Sequence, residues 1–334
     1  MSKLFTSEVA SVVAEKNIIE LSEKARLNTL ESDDREAIDI IDNFAREIGT
    51  SGKSSENTAL ISELIKNTVE PLIFQPETSL LFDIFDMGNV GEFDENRYTG
   101  LPKNTIKVHD AVRGGNVPKS YVDPSLFTPV KIALQAETEL SYSDLRRNGW
   151  KSISKMTELT RESFEQEMFS RLFAGVDSAL DAITGDQNIS TGSALTTANA
   201  DLLARYLRDM SEGNPFMVGL SKYIDTMTKM SGYETYLSDD LKNELNRVGR
   251  LAMYDGVALS SIPTAKKTAK GQTLVPDKRI FGIAGKIGEA NMRGEMRMYE
   301  TYDNNAEKVS LKFTGFDFDY VIYYVDKIAR ITFS

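Results

Sequence analysis

Apolar side chains recur at helical spacing between residues 145 and 180: Leu145, Ile153, Met156, Phe164, Met168, Leu172, Val176 and Leu180. This places a stripe on one face of a 3.6-period helix. The stretch contains no proline, and only Gly149 and Gly175 weaken it. Arg161 and Glu165, and Glu167 and Arg171, stand one turn apart with opposite charge, each pair adding a few tenths of a kcal/mol. Ser141 followed by Asp144 is a capping-box start, and Gly185 a stop. Such a rod would be roughly 60 Å long at about 1.5 Å per residue. Mean helices run about 11–12 residues, so the length points to a protein in which span matters. An ordinary long packing helix is the alternative.

The pattern before the rod has three parts. Residues 1–80 carry short apolar stripes at helical spacing: Val9, Val12, Val13, Ile18, Ile19 and Leu21; then Ala37, Ile38, Ile40, Ile41 and Phe44; then Leu60, Ile61, Leu64, Ile65 and Val69. They form either an arm docked on a neighbour or a helical unit packed on its own chain. Residues 84–126 are punctuated by Gly88, Gly91, Gly100, Gly114, Gly115, Pro102, Pro118 and Pro124. They predict an extended hairpin or long loop with one short strand at 105–108, held by something outside the domain. Val130, Ile132, Leu134, Ala136, Thr138 and Leu140 then alternate with polar or small residues, which predicts a strand with one buried face.

After the rod, a small-residue loop at 190–197 precedes helices at 201–210, 223–230 and 239–250, with a buried strand at 216–220. Strands are expected near 280–284 and 295–302. In the tail, Val309, Leu311 and Phe313 belong to one strand, Phe316, Phe318, Tyr320, Ile322 and Tyr324 to a second, and 328–333 to a third. The class is α+β, with the C-terminal sheet packed on the rod.

The composition narrows the chemistry. The chain has 334 residues and no cysteine, which removes disulfides, thiolate nucleophiles and cysteine metal sites. Its formal net charge of −11 disfavours a dedicated nucleic-acid binder but suits a surface lying beside nucleic acid without adhering to it. No run approaches the roughly 18 apolar residues of a membrane span. Gly282, Gly285, Lys286 and Ile287 fail the phosphate-loop pattern in spacing and in the missing hydroxyl. His109, the only histidine, lacks partners for a metal site and reads as a loop residue. Asp317 and Asp319 share a strand face opposite Phe316 and Phe318. Alternation makes this the wet side of a half-buried strand rather than a cation site. No catalytic, cofactor or metal residue is assigned.

The order of elements resembles the major capsid protein of tailed double-stranded-DNA bacteriophages, the HK97-like fold. The carriers are the strand of 128–141 leading into the rod, Leu172-Phe-Ala-Gly175, Met217-Val-Gly-Leu-Ser-Lys222 followed by Leu241-Lys-Asn-Glu-Leu, Tyr254 to Pro263, and the closing Phe316-Asp-Phe-Asp-Tyr. The resemblance implies an N-terminal helical arm (1–83), an extended hairpin loop (84–127), a peripheral domain with a spine helix (128–184), an axial domain (185–300) and a return to the peripheral domain (301–334). It implies a non-enzymatic shell protein without cofactors, forming hexamers and pentamers around double-stranded DNA in a virion assembled in the host cytoplasm. The DNA is enclosed without specific binding. The expected partners are other copies, a separate scaffold protein, a portal and a possible decoration protein, with no membrane. Tyr98, Val108, Val112 and Tyr121 are the expected intersubunit contacts. The alternatives are a bacterial nanocompartment shell of the same fold and, from another class, a carboxylate-dependent hydrolase using Asp317, Asp319 or His109.

Overall fold

The computed structural model describes residues 18–27, 29–51, 80–91, 98–100, 125–211, 213–230, 252–294, 297–303 and 307–334. Its axis is a helix, as the apolar spacing predicts, but the helix starts later than expected. Ser141 caps a short helix α4 (Tyr142–Asn148), its hydroxyl accepting from the Asp144 amide at 3.1 Å. Gly149 then takes a left-handed φ of 54°, and the main helix α5 runs from Trp150 to Asp181, ending before Gly185. Its 32 residues span about 48 Å rather than the roughly 60 Å of an unbroken rod.

The break has a tertiary cause. A glycine cap supplies no side-chain acceptor for the first amides of α5. Asp42 does so from 108 residues away, accepting from Trp150 N at 3.1 Å. Asp42 lies on helix α2 (Ser32–Ser51), which follows α1 (Ile18–Leu27). Arg46 pairs with Asp42 at 2.7 Å and donates to the Arg146 carbonyl at 3.1 Å. A Cβ at position 149 would overlap the Asp42 carboxylate, so the glycine admits α2. Ile18, Leu21, Ala37, Ile41 and Ala45 join the same core as α5, so α1 and α2 pack on their own chain. The third N-terminal stripe lies outside the described residues.

Beyond the short helix α3 (Leu80–Ile84), the strands β1 (Phe85–Val90), β10 (Gly288–Arg293), β12 (Lys308–Ile322) and β11 (Arg297–Asp303) form the first sheet, with β4 (Val130–Ser141) paired antiparallel to β12. β12 is one strand where the alternation predicts two. Its register slips between Phe313 and Phe316, with Gly315 at φ 80°. The extra residue of this bulge restores the facing. Val309, Leu311 and Phe313 precede it; Phe316, Phe318 and Tyr320 follow it, and all are buried. α5 lies on this sheet, as expected: the Phe164 ring sits 4.8 Å from Phe316 and 6.3 Å from Phe313. Gly175 has the same logic as Gly149. The Tyr320 hydroxyl lies where its Cβ would be, so the residue that weakens the helix locally allows the sheet to close on it.

The second sheet has the order β5 (Asn188–Thr191), β13 (Ile328–Phe333), β9 (Arg279–Ile283), β6 (Phe216–Leu220), β8 (Val257–Ile262) and β7 (Met253–Tyr254). Helix α6 (Thr197–Met210) covers it through Ala200, Leu203, Ala204 and Leu207. The helix expected at 223–230 begins earlier and divides into α7 (Ser221–Ile224) and a 3-10 turn at Asp225–Lys229. β5 and β10 lie where no strand was expected, and the helix expected at 239–250 falls outside the described residues. Sheet membership does not follow chain order. β10 and β11 interrupt the second sheet's strands in sequence yet sit in the first sheet, while β12 and β13, almost contiguous, sit in different sheets.

Candidate functional site

The strands β2 (Tyr98–Gly100) and β3 (Ser125–Phe127) pair antiparallel, Tyr98 opposite Phe127 and Gly100 opposite Ser125. The two ends that flank residues 101–124 are therefore held side by side as one base. That base is fastened to the first sheet by buried polar groups. Tyr98 is 1% exposed, and its hydroxyl donates to Asp319 Oδ1. Asn291 Nδ2 donates to the same hydroxyl oxygen at 3.1 Å, and Arg293 Nη2 reaches Asp319 Oδ2 at 3.1 Å. Asn291 and Asp319 are partners across β10 and β12, so two neighbouring strands supply the cluster. Gly88 of β1 stands opposite Asn291, and a Cβ there would fall 2.6 Å from its Oδ1. Phe127 adds an edge-to-face contact with Tyr323 at 5.1 Å. Burial, then the Glu289 carboxylate, push the Tyr323 phenol well above its ordinary pKa.

This arrangement corrects the reading of Asp319. It is 1% exposed, not on a wet face, because the base of 101–124 covers the side of β12 turned away from α5. Both its oxygens are engaged, one by a phenol and one by a guanidinium, which uses the carboxylate for fastening. Asp317 faces Arg293 in the register of β10 and β12 and is half-buried. No group of three or more metal-ligating side chains occurs among the described residues. Lys286, from the failed phosphate loop, ends β9's turn and pairs with Asp86. His109 lies outside the described residues.

Of the expected intersubunit residues, Tyr98 is spent on its own chain, since a ring 1% exposed has no surface to offer a neighbour. Val108, Val112 and Tyr121 lie outside the described residues. Asn291 and Arg293 were missed. Their signal is the alternation of Ala290 and Met292, both buried, with Glu289, Asn291 and Arg293. Small side chains make that alternation too faint to register as a strand. No helix among the described residues is long and apolar enough to cross a membrane.

The chain has the fold of phage capsid proteins. It superposes on a protein of Microbacterium phage Oxtober96 with a TM-score of 0.54 at 14% identity, covering 78% of this chain and 93% of that one. The satellite phage P4 procapsid structure, which includes a size determination protein, gives 0.53 at 10% identity over 82% and 91%. The capsid of cyanophage P-SCSP1u gives 0.52 at 10% identity over 77% and 88%. Among curated proteins, none matches the sequence. A family model described as "SPbeta prophage-derived putative capsid protein YonB" matches residues 1–332, and the chain belongs to this family. It is a structural protein of a phage shell, located in the virion capsid.

Proposed function

We propose that the chain is the major shell subunit, assembling into hexamers and pentamers of an icosahedral head that encloses double-stranded DNA. α5 serves as the spine, the first sheet as the peripheral unit, and the second sheet with α6 as the axial unit. Within the N-terminal region 1–83, α1 and α2 serve as a helical unit packed on the spine of their own chain. A separate scaffold protein, a portal and possible decoration proteins are its expected partners, and no reaction is part of its role. One observation carries this reading: in a chain of capsid fold, residues 101–124 depart from a base fixed by buried groups. They bring glycines, prolines and few apolar residues of their own. An isolated hairpin of this kind is marginal in water, and ordering it costs about 1–2 kcal/mol per residue of backbone entropy. Contacts with a neighbour, through Val108, Val112 and Tyr121, would offset that cost.

Sedimentation at raised concentration should give hexamer-sized or larger particles, which negative-stain images should resolve as closed shells. A strictly monomeric species at every salt and protein concentration would overturn the reading. With a net charge of −11, binding to free duplex at about 150 mM salt should be weak. Fluorescence anisotropy showing tight binding would contradict enclosure without specific contact.

A further inference from the structure

Residues 256–276 contain no acid, although the chain as a whole carries a net charge of −11. They contain three lysines, Lys266, Lys267 and Lys270, and all three stand exposed on the loop between β8 and β9. The loop is held by its own bonds. Thr268 is 4% exposed; its amide donates to the Gln272 carbonyl at 2.8 Å, and its hydroxyl accepts from the Gln272 amide at 3.2 Å. The Gly271 amide donates to the Thr268 carbonyl at 2.8 Å, with Gly271 at a left-handed φ of 79°. Lys267 bridges to Thr273, and Leu274 and Val275 are buried beyond it. A buried threonine and a tight turn thus fix the backbone from which the lysines project.

The carboxylates around the loop are engaged elsewhere. Glu165 pairs with Arg161 at 3.5 Å, Glu167 with Arg171 at 3.0 Å, and Asp277 with Lys222 at 2.6 Å. Lys270 reaches Glu167 only at 3.6 Å and keeps its side chain 66% exposed. Lys266 and Lys267 form no ion pair among the described residues. The neighbours of the lysines also matter. Residues 264–273 include no aromatic and no large apolar side chain, only threonine, alanine, glycine and glutamine. Protein interfaces draw their energy from buried aromatic and apolar anchors. Phosphate backbones are held by lysine and small polar groups, which is what this loop presents.

We infer that the loop carrying Lys266, Lys267 and Lys270 contacts the phosphate backbone of the enclosed duplex DNA. The inference rests on the reading that the shell encloses DNA, and it turns this face of the subunit toward the interior. Lysine ammonium groups are point charges without the planar fork of arginine, so the contact is independent of base sequence. Three lysines neutralise at most three phosphates, which gives a salt slope of about −2.7 and a loss of about twentyfold in affinity between about 50 and 150 mM salt. A single subunit therefore binds weakly at physiological salt, as an acidic chain should. Many copies lining one shell sum these contacts without any one of them holding the DNA fast.

Unassembled subunit is titrated onto a short labelled duplex at about 50 mM salt, where anisotropy should show binding that weakens about twentyfold by about 150 mM. Lys266→Gln, Lys267→Gln and Lys270→Gln together should weaken it about tenfold at the lower salt and remove most of the salt slope. Arginine at the same three positions should preserve both. Lys131→Gln with Lys312→Gln, on the first sheet, should change neither. No binding by wild type at the lower salt, or an equal loss in the control pair, overturns the inference. Polyglutamate that competes as well as unlabelled duplex at equal charge would assign the loop to an acidic protein and overturn it too. Amine labelling of wild-type particles, read by mass spectrometry, needs no variant to fold. Lys266, Lys267 and Lys270 should be protected in DNA-filled particles and reactive in emptied ones. Equal labelling in both overturns the inference while leaving the shell standing, whereas particles that hold protein in place of DNA overturn the enclosure reading itself.

Discussion

At its middle, α5 meets the first sheet through rings: Phe164 between Phe313 and Phe316, and the backbone of Gly175 under Tyr320. Toward its C-terminal end it meets the second sheet through the Phe173–Phe281 rings at 5.8 Å and, in the last turns, through charge. Arg330 of β13 contacts Asp177 at 2.5 Å and Asp181 at 2.6 Å, and donates to Asn188 Oδ1 at 2.8 Å. Asn188 in turn donates to the carbonyls of Leu180 and Ile183, at 2.9 Å and 2.6 Å, as the helix ends. Burial opposes the Arg330 charge, but its hydrogen bonds to Asp181 and Asp177 prevail and raise its pKa. The apolar contact removes area from water without demanding exact angles. The charged contact gains little net energy once desolvation is counted, yet it satisfies groups that would be costly to leave alone. One contact fastens the helix to a sheet; the other fixes where the second sheet sits against the helix end.

The largest effect should come from the apolar side. Phe316→Ala is expected to cost about 3–5 kcal/mol, read from urea unfolding of the unassembled subunit. A loss below about 1 kcal/mol would mean the rings are not the main fastening. Next, Arg330→Met should cost about 1–3 kcal/mol, because the half-buried Asp177 keeps only Arg279 at 3.3 Å. Adding Asp177→Ala should return part of that loss, giving a coupling of about 1–3 kcal/mol in a double-mutant cycle. Additive losses would show that the two groups do not act together.

Gly175→Ala sharpens the contrast, since two effects oppose one another. Helix propensity favours alanine by about 1 kcal/mol. Against it, the new Cβ would lie 2.6 Å from Tyr320 Cζ, and overpacking of this kind costs about 1–3 kcal/mol. The expected net is a destabilisation, partly relieved by Tyr320→Phe; a stabilised single variant would mean the sheet yields easily. The smallest effect concerns Glu165, whose carboxyl pKa is raised by burial, with Arg161 opposing it. A raised acid pKa makes the folded state favour the protonated form. Its contribution to stability therefore grows as pH falls through the folded pKa and is complete below the unfolded value of about 4.3. Glu165→Gln should flatten that part of the pH profile by less than about 0.5 kcal/mol, given its partial exposure.

Periodicity made much of this legible. The apolar stripe of α5, the alternation of β4, the buried strand β6 and the aromatic alternation of β12 are local patterns that predicted the type of each element, though not the start of α5 or the continuity of β12. Where the pattern depended on a distant partner, it was ambiguous or silent. Gly149 and Gly175 look alike in sequence as weak points in one helix. Only the fold makes one a break filled by Asp42 and the other an unbroken turn beneath Tyr320. The DxD of β12 looked solvated because alternation records one covering layer, while Asp319 is buried by a second layer from Tyr98, 221 residues away. The sequence by itself determined the helical stripe of α5, the strand faces and the absence of thiol chemistry, because these depend on residues near one another in the chain. The tertiary structure decided which strands share a sheet and which carboxylate is buried. Those depend on side chains far apart in sequence meeting in space, and no local period encodes such meetings.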